Sequence, residues 1–135
     1  MRILTVLLLL GLAVPALADG LGFRTPSGNI YCNGSLQGGA ELTCLIINRE
    51  PGSAPAGIGD CPAGRELSVH IDETGPVAAQ CGRPSGRLST YTDIADYGVT
   101  GRFGRITCLS QRSGFTCGNA DGRGFTLSRR AQTLF

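Results

Sequence analysis

The chain has 135 residues, with 12 Lys plus Arg against 10 Asp plus Glu, and a net charge of +2. That balance excludes the strongly basic surface on which nucleic-acid binders rely. The length fits one domain, and 21 Gly with 7 Pro favour many turns and short strands over long helices.

Met1-Arg2 supplies a positive charge, Ile3 to Val14 is apolar, and Ala16-Leu17-Ala18 precedes Asp19. This three-part pattern predicts a signal peptide over residues 1–18 and a single β-rich domain over 19–135. The apolar run is too short for a bilayer span, which needs about 20 residues. The mature form is therefore expected to lack a membrane span and to be secreted or periplasmic.

Pro26-Ser27-Gly28-Asn29 reads as a tight turn entering a strand at 28–33, where Ile30 and Cys32 share a face. A second strand at 41–48 places Leu42, Cys44 and Ile46 in phase, and Asn33-Gly34 with Gly38-Gly39 supply turn chemistry between the two. Residues 49–62 carry Pro51, Pro55 and Pro62 and read as a long loop. The strand at 65–72 alternates cleanly, with Leu67, Val69 and Ile71 inward and Ser68, His70 and Asp72 outward. The chain turns at 73–75 and returns with Val77, Ala79 and Cys81 inward, then turns again at 83–86.

Residues 88–97 fit either a short helix, capped by Thr92 and stopped by Gly98, or irregular chain. Strands at 104–110 and 115–119 flank Gln111-Arg112-Ser113-Gly114. A last strand at 123–129 follows the turn at 119–122. The expected fold is all-β: a small disulfide-stapled barrel or sandwich of about seven to nine short strands.

The six cysteines are Cys32, Cys44, Cys61, Cys81, Cys108 and Cys117. An even number in a short exported chain indicates disulfides. All but Cys61 sit two residues from an inward apolar neighbour, so they face the core. Sequential pairing, 32 with 44, 61 with 81 and 108 with 117, closes local hairpins.

Sites with chemistry are sparse. No C-x-x-C spacing occurs and His70 is the one His, so neither a zinc site nor any other metal or cofactor is expected. Asn119 and Asp121 lack the regular calcium-loop ladder and read as a turn. His70, Asp72 and Glu73 resemble an acid–base group, but an exposed strand face is not a pocket. With no nucleophile elbow and no unpaired Cys, no catalytic residue is assigned.

Every basic residue is Arg, and Arg105, Arg112, Arg123, Arg129 and Arg130 fall near the C-terminal strands. Arg123, Arg129 and Arg130 are candidate contacts for an anionic ligand or a carboxylate-bearing protein. The alternative is a solvated sheet face, with Arg stems covering apolar surface.

The stretches FRTPSGNIYC (23–32), LTC (42–44), YG (97–98) and ITCLSQRSGFTCGNADGRGFTLSRR (106–130) resemble a family of small secreted bacterial proteins. That family is catalogued as a domain of unknown function, with a PSGNIxC opening and a GFxCxN…GFxLSR close. The resemblance implies an exported, disulfide-stapled β domain and brings no catalytic residues. The expected function is a non-catalytic binding or interaction module with an envelope protein, extracellular protein or anionic ligand as partner. One form of this is an inhibitor of a hydrolase. The alternatives are a secreted hydrolase using Asp72, Glu73, Asp93 or Asp96, and a structural envelope component.

Overall fold

The structure is a computed structural model that describes residues 20–86 and 89–135. The expected signal peptide, residues 1–18, lies outside the described residues, as does Leu88 at the start of the 88–97 segment.

Among the described residues ten strands form two five-stranded antiparallel sheets. The first is a meander of β1 (Gly20–Arg24), β2 (Ile30–Ser35), β3 (Glu41–Ile46), β4 (Arg65–Asp72) and β5 (Ala78–Pro84). The second is a meander of β6 (Thr100–Phe103), β7 (Ile106–Gln111), β8 (Gly114–Gly118), β9 (Gly124–Leu127) and β10 (Gln132–Leu134). The sheets pack as a sandwich around one apolar core, and neither closes into a barrel. Among the described residues no helix is long and apolar enough to cross a membrane.

The alternating positions build that core. Leu42, Cys44 and Ile46 of β3 and Leu67, Val69 and Ile71 of β4 are fully buried. They meet Ile106 of β7, Phe115 of β8 and Phe125 and Leu127 of β9. Phe23 bridges the layers, stacking on Phe103 at 5.6 Å and tilting against Phe115 at 5.8 Å. Such ring pairs add to the stabilisation from area burial alone.

Ten strands exceed the seven to nine expected, because β1, β6 and β10 are weakly signalled. β1 contains two glycines, β6 has four residues and β10 has three. Each is an edge strand of its sheet, formed against a better-patterned neighbour. Pro84 ends edge strand β5, where a missing N–H costs no interior ladder bond.

Residues 92–97 are not helical. This segment carries the chain from one sheet to the other along the free edge of β1. The Arg24 N–H donates to the Asp93 carbonyl at 2.9 Å, and the Ala95 N–H donates to the Arg24 carbonyl at 2.8 Å. Pairing with an existing strand edge satisfies the backbone better than a one-turn helix would.

The bridges are Cys32–Cys44, Cys61–Cys81 and Cys108–Cys117. Cys32 lies directly opposite Cys44 in the β2–β3 register, and Cys108 opposite Cys117 in β7–β8. Cys61 ties the long 47–64 loop to β5. None of the three joins one sheet to the other. Polar clasps at the two ends of the sandwich do so instead. At one end Asn119 Nδ2 donates to the carbonyls of Asp72 and Gly75, while the Gly75 N–H donates to Asp121 Oδ2. At the other, the Glu50 N–H donates to the Arg129 carbonyl and the Gln132 N–H to that of Ser53.

Candidate functional site

The turn between β1 and β2 is built by its own side chains. The Thr25 hydroxyl and backbone bond to the backbone of Ile30, and the Gly28 N–H donates to the Thr25 carbonyl at 2.9 Å. Gly28 has φ of +73°, a conformation that favours glycine. Asn29 does more than turn chemistry requires. Its Nδ2 donates to the Asn48 carbonyl at 3.0 Å, and its Oδ1 accepts the Asn48 N–H at 2.7 Å. That two-way bond fixes the turn against the end of β3.

This turn is one wall of a groove of about 260 Å³ at the rim of the sandwich. The opposite wall comes from the β7–β8 turn, with Arg112, and from the chain leaving β9, with Ser128 and Arg129. Tyr97 of the crossing segment completes it. The Arg112 guanidinium lies over the Tyr97 ring, 5.0 Å from its centre, a cation–π arrangement that orients the charge. Arg129 is held by its backbone, which accepts the Glu50 N–H at 2.8 Å.

None of the residues lining the groove is Asp or Glu. No carboxylate of the described residues lies within ion-pair distance of Arg112 or Arg129. The groove therefore presents two guanidiniums together with the amides of Asn29 and Asn48 and the hydroxyl of Ser27, while the Ser128 hydroxyl donates to the Ala131 carbonyl. Such a set donates hydrogen bonds to an anion. An apolar cavity of about 190 Å³ lies nearby, lined by Phe23, Ile94, Val99 and Phe103, and Phe115 stands in the wall of both.

The three candidate arginines do not converge. Arg129 is in the groove and Arg130 is exposed just beyond it. Arg123 lies at the opposite end of β9, in the turn anchored by Asn119. Tyr97, Asn29 and Asn48 are groove residues that carried no chemical signal in the sequence. Spacing along the chain does not reveal that their three segments meet at one rim.

Of the carboxylates weighed for hydrolysis, Asp72 and Glu73 border one open depression together with Glu41 and Arg105, while Asp93 lies apart. Asp93 is beyond the β1 edge and Asp72 is on β4, four strand spacings or about 19 Å away. Glu73 serves a structural purpose. Its carboxylate accepts the Ala40 N–H at 2.7 Å and the Arg105 N–H at 2.9 Å, linking the β2–β3 turn to the β6–β7 turn of the other sheet. Those two bonds, the Ala40 one foremost, hold its pKa below the ordinary value. Gly104 makes room for this clasp. Its φ is +58°, and a Cβ there would come within 2.9 Å of Glu73 Oε2.

His70 and Asp72 pair on the outer face of the first sheet, Nε2 to Oδ1 at 3.1 Å. The Thr43 hydroxyl meets His70 Nδ1 at 2.9 Å. The arrangement resembles a hydroxyl–imidazole–carboxylate relay, but it is open to solvent, with Asp72 56% exposed, and of its three members Asp72 alone borders the depression beside it.

Comparison with curated proteins and with solved structures finds no match to the chain. Family comparison does: residues 2–135 match a family of unknown function, DUF6636, and the chain belongs to that family.

Proposed function

We propose that this domain is a non-catalytic binding module of the periplasm or extracellular space. Its ligand carries an anionic group, of the carboxylate class, seated between Arg112 and Arg129. One observation carries the reading: the groove holds two guanidiniums and no carboxylate to neutralise them. In a folded protein such charge is available to a partner. The neighbouring apolar cavity is sized for a small ring or short alkyl group beside the anion. Three disulfides support an oxidising compartment.

The test is an NMR titration of the oxidised protein with octanoate and hippurate, using octylamine and benzylamine as cationic controls. The anions are expected to shift the amides of residues 27–29, 111–114 and 128–129 saturably, while the amines leave them unmoved. Arg112→Ala with Arg129→Ala should weaken anion binding at least tenfold, about 1.4 kcal/mol. Equal response to anion and amine, or no saturable shift at millimolar ligand, overturns the proposal. A protein partner presenting a carboxylate would be retained by the native bait from envelope extract and lost with the double variant.

A further inference from the structure

On the outer face of the first sheet, β3 and β4 pair so that Glu41 is directly opposite Asp72 and Thr43 is opposite His70. Directly opposed side chains have Cβ atoms about 5 Å apart. The four side chains therefore form a tight square, far from the arginine groove. Ligand atoms of Glu41, His70 and Asp72 all lie within 4.8 Å of one another.

We infer that Glu41, His70 and Asp72 form a surface site for one divalent transition-metal cation, with Thr43 positioning the imidazole. Geometry supports this first. Bonds of about 2.0–2.1 Å from a tetrahedral cation place its donor atoms roughly 3.3 Å apart. His70 Nε2 and Asp72 Oδ1 are already 3.1 Å apart. Glu41 is exposed, so its carboxylate is free to swing onto the third position.

Charge supports it next. Two carboxylates neutralise a divalent cation, and a neutral imidazole selects Zn²⁺, Ni²⁺ or Cu²⁺ over Mg²⁺ or Ca²⁺. Glu73 is the next residue along, but it is committed to the N–H groups of Ala40 and Arg105. The protein ligands therefore number three, and water fills the remaining positions.

Thr43 supplies the support that metal-bound imidazoles usually have. A hydroxyl both donates and accepts. In a neutral ring without metal, an Nε2–H that donates to Asp72 Oδ1 leaves Nδ1 to accept the Thr43 O–H. With metal, the imidazole proton moves to Nδ1 and is donated to Thr43 Oγ1, and the Nε2 lone pair binds the cation. The cation thus takes the place of the proton between Nε2 and Oδ1, and no proton is lost from the ring.

His70 is the one His of the chain, so its ring resonances are unambiguous. The experiment titrates ZnCl₂ into the oxidised, tag-free protein, reading the His70 ring protons by NMR and the stoichiometry by calorimetry. One Zn²⁺ per chain is expected, with no response to Mg²⁺. Glu41→Gln and Asp72→Asn should each weaken binding at least tenfold, and His70→Gln should abolish it. Thr43→Val should weaken it about tenfold, with Thr43→Ser restoring affinity. Thermal melts in EDTA identify any variant that fails to fold, and Glu41→Gln on the exposed face remains the deciding variant. An unmoved imidazole at millimolar Zn²⁺ overturns the inference. So does a midpoint unchanged by Glu41→Gln and Asp72→Asn, which would mean adventitious binding to a lone imidazole.

Discussion

Arg49 is costly to place, because the residue is only 7% exposed and, among the described residues, no carboxylate lies within ion-pair distance of it. Burial lowers its pKa, yet an arginine remains charged there. Neutral acceptors solvate it. Nε donates to the Arg65 carbonyl at 2.9 Å, Nη1 to Gln132 Oε1 at 3.2 Å, and Nη2 to the carbonyls of Cys61 and Pro62 at 3.1 and 2.7 Å. One planar fork thereby gathers the long loop, β4 and β10. Arg49→Ala should destabilise the protein by about 3 kcal/mol, since it leaves several acceptors unsatisfied. Arg49→Lys should recover little, because an ammonium cannot span the same fork. Urea unfolding of the two variants checks this; a Lys variant as stable as the native protein would show that charge alone suffices. The sequence displays Arg49 as one more arginine at the start of a proline-containing loop, since the acceptors that surround it are distant in the chain.

Between elements, the turn after β4 is a joint that depends on pH. Glu73 accepts N–H groups from both sheets, and its folded pKa is lower than the ordinary value of 4.5. A carboxylate depressed in the folded state stabilises fully above its unfolded pKa, and that stabilisation is lost as pH falls through the folded value. Glu73→Gln should therefore lower the melting temperature by several degrees near pH 7. The gap to the native protein should close as pH drops from about 4.5 toward 2. Parallel melting curves across that range would remove Glu73 from the acid response. Strand positions with clean alternation, such as Leu67, Val69 and Ile71, were legible in the sequence because one face of each strand is buried. The Glu73 clasp was not, because it joins turns 33 and 32 residues distant along the chain.

At the scale of the molecule, all three disulfides staple within one sheet or its attached loop, so the sandwich interface rests on apolar packing and on polar links such as the clasps at its two ends, Glu73 and Arg49. The loops that they close span 12, 20 and 9 residues, and each bridge is worth about 2–4 kcal/mol through the unfolded chain. Cys32→Ala with Cys44→Ala should cost about 3 kcal/mol, and reduction of all three should remove the cooperative transition. Calorimetry of the double variant and of the reduced protein tests this; an unchanged transition would show that the core suffices alone. The sequence by itself determined what depends on local chemistry. Period-two alternation set the all-β class, Gly and Asn set the turns, and cysteine register set which side chains face inward. Tertiary structure alone decided which surfaces work together. The groove needs the turns at 25–30, 111–114 and 128–129 at one rim. The square of Glu41, Thr43, His70 and Asp72 needs the β3–β4 register. Both depend on contacts between segments far apart in the chain, the groove through the packing of the two sheets and the square through strand pairing within one, and no local pattern specifies either.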